Sequence, residues 1–197
     1  TGGDLCKLLY SKFQRHEYLT ESELVWFGLN IAEGIKYLHD RSLIHRDLKP
    51  ANIFVCAKNE SDYIDENSPC DQMILKIGDF GLVKNLDNSF AQTTAGTHMY
   101  MAPECFNNKP YDTTADMWSF GCIFYELCCL TLNNELQYVQ MLMKGEDKFH
   151  KDIKERLQLL KYNDEIIDIV VNCMKKDSTS RYTATQVVDK LTKLKSS

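Results

Sequence analysis

The chain has 197 residues, enough for one domain whose core removes roughly 70% of the unfolded surface from water. Lys and Arg number 23 against 28 Asp and Glu, a net charge of −5, which argues against a general affinity for nucleic acid or anionic membrane; any phosphate it handles must meet local cations. The eight cysteines show no C-x-x-C pairing and several fall in apolar helical patterns, so they read as reduced, mostly buried thiols rather than a disulfide framework; a helical metalloprotein using them lacks ligand spacing.

In chain order, TESELVWFGLNIAEGIKYLHDRS predicts a helix over 22–40 with Leu24, Phe27 or Gly28, Ile31, Ile35 and Leu38 along one face. Thr20 and Glu23 have the spacing of a capping box. HRDLKPAN (45–52) is then a loop leaving a buried helix, and NIFV (52–55) and MILKIG (73–78) read as short strands. The polar, acidic segment between them, the insertion at 56–72, is long for a hairpin connection and is expected to be a mobile surface loop. Residues 79–104 have few apolar periods and many hydroxyl side chains, as in a long loop.

TADMWSFGCIFYELCCL is apolar on nearly all sides, which predicts a central, buried helix. Residues 133–163 read as one or two surface helices, and NDEIIDIVVNCMKK and TATQVVDKLTKL as amphipathic ones, the last opening with a Thr183 to Gln186 capping box. The longest apolar run, Phe120 to Leu132, is interrupted by Glu126 and is too short to span a bilayer. No signal-peptide pattern opens the chain, so a cytoplasmic or nuclear location is expected. Its first residue is Thr1, not methionine, and sequence upstream is expected to be missing. The pattern as a whole predicts a mainly α domain with a small β-hairpin.

HRDLKPAN, DFG (79–81) and APE (102–104) occur in the order of the protein-kinase signature. Each is weak alone, but identities, order and local structure together are specific. Over nearly its whole length, 1–197, the chain resembles the C-terminal lobe of a eukaryotic Ser/Thr protein kinase, with 79–104 as the activation segment. The resemblance implies an ATP- and Mg²⁺-dependent transfer of the γ-phosphate to Ser or Thr hydroxyls of protein substrates. Asp47 would orient or accept the hydroxyl proton and Lys49 would neutralise the γ-phosphate, while Asn52 and Asp79 supply oxygens to Mg²⁺.

By the same resemblance His45 is a core histidine packed on Phe80 and hydrogen-bonded towards Asp116. Arg46 receives a phosphorylated activation-segment residue or serves as an ion-pair partner. Ser89, Thr93, Thr94 and Thr97 are the phosphate candidates, Thr93 first and Thr94 second, unless these hydroxyls simply suit a loop. Thr97 bonds Asp47 and Lys49 in GTHMYMAPE, where His98 replaces a common proline. Glu104 and Arg181 form a buried salt bridge, and Tyr182 stands where proline is common. Asp4 of GGDL faces ribose hydroxyls or a basic substrate residue, or else caps a helix; Phe54 lies beneath the adenine or is simply core.

SFAQTTAGT, GGDL and DMWSFGCIFYELC are similar to NIMA-related kinases. LIHRDLKPANIF, followed after an insert by KIGDFGLV, resembles the kinases of the initiation factor 2 α subunit; the first likeness is the stronger. The chain has no G-x-G-x-x-G loop and no V-A-I-K lysine. The family keeps these in an N-terminal lobe, so truncation of a longer chain is expected, and with it negligible activity of this fragment alone. A kinase-derived binding or scaffold module without catalysis is the alternative reading.

Overall fold

The computed structural model of the chain describes residues 2–59, 61–65, 67–82, 84–85, 99–107, 112–130 and 138–196. Helix α1 (Leu5–Arg15) is capped by Asp4, whose carboxylate accepts the Lys7 N–H at 2.9 Å. Helix α2 (Glu21–His39) carries the predicted capping box: Glu23 accepts from the Thr20 N–H at 2.8 Å, and Thr20 Oγ1 from the Glu23 N–H at 3.3 Å.

The apolar face read from the sequence is buried. So are Val25, Leu29 and Ala32 beside it, because α2 is packed at once by a helix over Ala184–Lys195, one over Thr113–Cys129 and a β-hairpin. Helix α3 (Thr113–Cys129) is the second axis of the core, its side chains almost all inaccessible. Around these two pack α4 (Tyr138–Met143), α5 (Glu146–Leu159), α6 (Asp164–Cys173) and α7 (Ala184–Lys195), the last with its Thr183–Gln186 capping box. α5 is amphipathic, burying Phe149, Ile153 and Leu157. The Tyr162 hydroxyl ties the start of α2 to the end of α3, its one proton shared between the carbonyls of Leu19 (3.0 Å) and Cys128 (3.1 Å).

Strands β2 (Ile53–Ala57) and β3 (Met73–Ile77) form the expected antiparallel hairpin, with Ile53 opposite Ile77. A second two-stranded pairing was not legible in the sequence: β1 (Leu43–Ile44) runs antiparallel to β4 (Lys84–Asn85). Two-residue strands leave no periodic signal.

Among the described residues six of the eight cysteines are buried and all are free. Burial pushes the Cys70 thiol up to about 12, with Glu23 adding to the effect, in keeping with an unreactive core thiol. No helix among the described residues is long and apolar enough to cross a membrane.

Two glycines mark the closest helix crossings. A Cβ at Gly28 would stand 2.7 Å from Phe124 Cε2, and one at Gly121 would stand 2.6 Å from Met174 Cγ and 2.9 Å from Cys173 Cβ. Gly121→Ala therefore overpacks the α3–α6 contact and lowers unfolding stability by about 1–3 kcal/mol, measured as the shift in urea midpoint against wild type.

Candidate active site

The site begins with one carboxylate. Asp116, in the first turn of α3, is 1% exposed. Its Oδ2 accepts from His39 Nε2 (3.0 Å) and the His45 N–H (2.9 Å), and its Oδ1 from the Arg46 N–H (3.0 Å). A buried carboxylate is costly unless donors fill its lone pairs, and here the end of α2 and the turn after β1 supply three. They also hold Arg46 at φ +74°, a left-handed conformation that non-glycine residues adopt only when their surroundings impose it.

The His45 ring does not reach Asp116. It is fully buried; its Nε2 lies 2.9 Å from the Gly78 carbonyl, and its Nδ1 accepts the Asp47 N–H at 3.3 Å. That pattern requires the proton on Nε2. The expected bond to Asp116 is made by the backbone of His45 instead, and the expected packing on Phe80 is present as an edge contact, centroids 5.8 Å apart. His39 was missed because a histidine in the last turn of a helix usually reads as a favourable charge at its C-terminal end.

Leu48, 1% exposed, is driven into the core and leaves Asp47 and Lys49 on the outer side of the loop. Pro50 opens a single 3₁₀ turn, Pro50–Asn52. Within it Lys49 Nζ donates to Asp47 Oδ2 at 2.8 Å, and Asn52 Nδ2 donates to the same oxygen at 3.0 Å and to the Asp47 carbonyl at 2.8 Å. Asn52 is thus turned with its nitrogen to Asp47, which leaves its carbonyl oxygen for another partner.

The Gly78 N–H donates to the Asn52 carbonyl at 2.9 Å, so the hairpin register sets Asp79 beside Asn52 at the same end of the two strands. Asp79 has φ +57° and is exposed; among the described residues its one hydrogen bond is a long one from the Gly81 N–H, 3.4 Å. An amide oxygen and a carboxylate with spare lone pairs are hard donors of the kind magnesium takes, so these residues fit that ion.

Asp4 and Phe54 meet at an isolated β-bridge. Gly2 and Gly3 pair with Val55, N–H to carbonyl, at 2.8 and 2.9 Å. Phe54 is not core: strand alternation sends Ile53 and Val55 inward and leaves Phe54 39% exposed, its ring against Gly78. Asp4 acts as a helix cap, one of its two sequence readings, and its position beside Phe54 leaves it at the same edge.

Within the activation segment, 79–104, the residues Ser89, Thr93, Thr94, Thr97 and His98 lie outside the described part of the chain. The end of the segment is fastened twice. Glu104 and Arg181 form a two-pronged ion pair, Oε1 to Nη1 and Oε2 to Nη2, both 2.7 Å, with the arginine side chain fully buried. The guanidinium also donates to the carbonyls of Lys175 (2.8 Å) and Thr114 (3.1 Å) and lies 5.2 Å from the Trp118 ring centre.

Tyr100 is held by its carbonyl, which accepts from Ser119 Oγ (2.7 Å), and by its hydroxyl, which donates to Glu126 Oε2 (2.8 Å). The Tyr138 hydroxyl donates to the other Glu126 oxygen at 3.3 Å. Burial pushes the Glu126 carboxyl up to about 8 although both tyrosine hydroxyls pull it down. Tyr182, the departure from proline, has a role too: its hydroxyl donates to Asp168 (2.7 Å), which with Glu165 receives Lys190, both 3.0 Å, and so joins α6 to α7.

This arrangement of loop, hairpin and buried helix is that of a kinase-like C-terminal lobe, and comparison with known proteins agrees. The profile of the protein kinase domain family matches residues 1–191, and the chain belongs to that family. It is similar to the human serine/threonine-protein kinase Nek5, 39% identical over 144 residues, 72% of this chain and 18% of that protein. It is similar also to human serine/threonine-protein kinase Nek2, 32% identical over 184 residues, 88% of this chain and 36% of the relative. Bovine serine/threonine-protein kinase 33 is 34% identical over 194 residues, 95% of this chain and 37% of that protein. The chain thus spans well under half the length of these relatives.

Two stability outcomes follow from the fastenings. Arg181→Ala strands the Glu104 carboxylate and costs about 3–5 kcal/mol, seen as a sharp fall in thermal midpoint. For Glu126 the folded state holds its proton to about 8 against an ordinary 4.5, so its contribution is fully present below 4.5 and is lost as pH rises through 8, at up to about 1.4 kcal/mol per pH unit. Glu126→Gln therefore gains stability relative to wild type between pH 5.5 and 8.5, measured by urea unfolding at the two values.

Proposed function

We propose that the protein is an ATP- and Mg²⁺-dependent serine/threonine protein kinase, with this chain as the lobe that holds the acceptor hydroxyl and the metal-facing end of the nucleotide. The observation that carries the reading is the cluster in which Asp47 accepts both Lys49 Nζ and Asn52 Nδ2 beside the strand end that bears Asp79.

Asp47, fixed by two donors on one oxygen, has its other oxygen to orient the substrate hydroxyl and take its proton. Lys49, a point charge two residues on, offsets the negative charge that spreads over the transferring phosphoryl group. Magnesium, when bound by Asn52 and Asp79, supplies neutralisation of the phosphate oxygens. Arg46, whose backbone the Asp116 carboxylate fixes, is the residue we assign to receive a phosphate from the activation segment, carried by Thr93 in the first place and Thr94 in the second. The glycine-rich cover and the α/β-phosphate lysine belong, on this reading, to an N-terminal lobe of the same polypeptide. Phe54 and Asp4, at the edge facing that lobe, would meet adenine and ribose. Protein segments presenting Ser or Thr are the substrates.

The test is transfer of label from γ-labelled ATP to a generic Ser/Thr peptide by the full-length polypeptide. Asp47→Ala is expected to lower the rate by at least about 100-fold while leaving the thermal midpoint near that of wild type. A wild-type rate no higher than that of the variant, with Mg²⁺ present, would overturn the assignment.

A further inference from the structure

The insertion between β2 and β3 is not a free loop. The side chain of Asn59 donates to Asp62 (2.9 Å), and the Asp62 N–H returns to the Asn59 carbonyl (3.0 Å). Asp65 and Ser68 close a second turn, Asp65 N–H to Ser68 Oγ at 3.0 Å and Ser68 N–H to the Asp65 carbonyl at 3.2 Å. Arg15, at the end of α1, donates to Asn67.

Between the two turns the chain alternates sharply. Ile64 is 5% exposed and packs on Gly2; its Cδ1 lies 3.2 Å from where a Gly2 Cβ would stand, and Val55 Cγ1 lies 3.6 Å from the same point. Tyr63, its neighbour, is 86% exposed, and among the described residues it makes no hydrogen bond or ring contact. Ile64 is therefore a peg under the extended segment that leads to Asp4, and Tyr63 is held out to solvent by that peg. Residues 62–65 have no regular secondary structure, and two acidic residues, Asp62 and Asp65, stand one position before and two after Tyr63 in the chain. Hydrogen bonds from Asn67 and Ser68 hold Asp65 below the usual carboxylate range.

A tyrosine in an extended, accessible segment with acidic neighbours on both sides is what an acid-directed tyrosine kinase can grip. We propose that Tyr63 is a phosphorylation site for such a kinase acting in trans, and that its phosphate releases Ile64 from beneath Gly2. Transfer forms the bond from Tyr63 Oη to the γ-phosphorus of ATP as the β–γ bridging P–O bond breaks. ADP leaves, and the phenolic proton passes to the base of the modifying kinase. The product carries roughly two negative charges between Asp62 and Asp65, and repulsion strains both turns that seat the peg. The strand pairing of Gly2 and Gly3 with Val55 then loosens, and with it Asp4. The consequence for nucleotide binding rests on the function proposed above; the modification and the loosening do not.

The experiment exposes the full-length polypeptide to an acid-preferring tyrosine kinase with ATP and Mg²⁺, locates phosphate within 1–197 by tandem mass spectrometry, and follows amide hydrogen exchange. Phosphate is expected at Tyr63 ahead of Tyr10, Tyr18 and Tyr37, which are 50–58% exposed, and absent from that peptide in Tyr63→Phe. Exchange at the Gly2 and Val55 amides is expected to quicken at least about fivefold, as it should in unmodified Ile64→Ala, because these bonds then open locally. Phosphate spread evenly over the four tyrosines, or none at Tyr63, would overturn the site. Unchanged exchange at both amides, in the phosphorylated chain or in Ile64→Ala, would overturn the release. Neither readout uses catalysis by this chain, so loss of the kinase reading and loss of this one are separable.

Discussion

The site depends on the burial of a single charge. The Asp116 carboxylate has no route to water, so its free energy is tolerable only when N–H donors surround it. Those donors come from His39 at the end of α2 and from consecutive backbone positions, His45 and Arg46, after β1. Satisfying the charge therefore fixes where the loop leaves the core and in which direction. The His45 ring extends the constraint to Gly78, and Gly78 is bonded to Asn52. Asp47, Asn52 and Asp79 thus take their relative places from one helix-borne anion and not from contacts with one another alone.

Helix α3 does more than carry that anion. Asp116, Ser119 and Glu126 are three and seven residues apart, a spacing that puts all three near one stripe of a helix with 3.6 residues per turn. On an otherwise apolar rod this stripe bonds the loop before Asp47, the Tyr100 carbonyl and the Tyr100 hydroxyl in turn. The Thr114 carbonyl, two residues before Asp116, accepts from Arg181 and so is linked to Glu104. Both ends of the region between the loop and α3 are referenced to the same helix, so its rotation would disturb them together.

Much of this was legible in the amino-acid order. The capping boxes at Thr20 and Thr183, the burial of α3 and the hairpin rest on local spacing, and the pairing of Glu104 with Arg181, 77 residues apart, on the family resemblance; all are present. What was not legible rests on contacts between distant positions. Nothing in the sequence around His39 or Glu126 tells that one completes the shell of Asp116 and the other accepts two tyrosines. The β1–β4 pairing is too short for a pattern. Phe54 was ambiguous because an aromatic in a strand serves a core face and a solvent face equally well; only the register with β3 decides it. Tyr182 carried no meaning until α6 brought Asp168 to its hydroxyl.

The hairpin separates what must be held from what can vary. At its base the Asn52–Gly78 bond sets the alignment of the two strands, and every pair further out inherits it. The far end can then gain or lose residues between its turns without shifting Asn52 or Asp79, since lengthening a flexible connection costs only about 0.6 kcal/mol per doubling. Evolution can remodel that tip, and graft recognition elements there, while the chemistry at the opposite end stays in register.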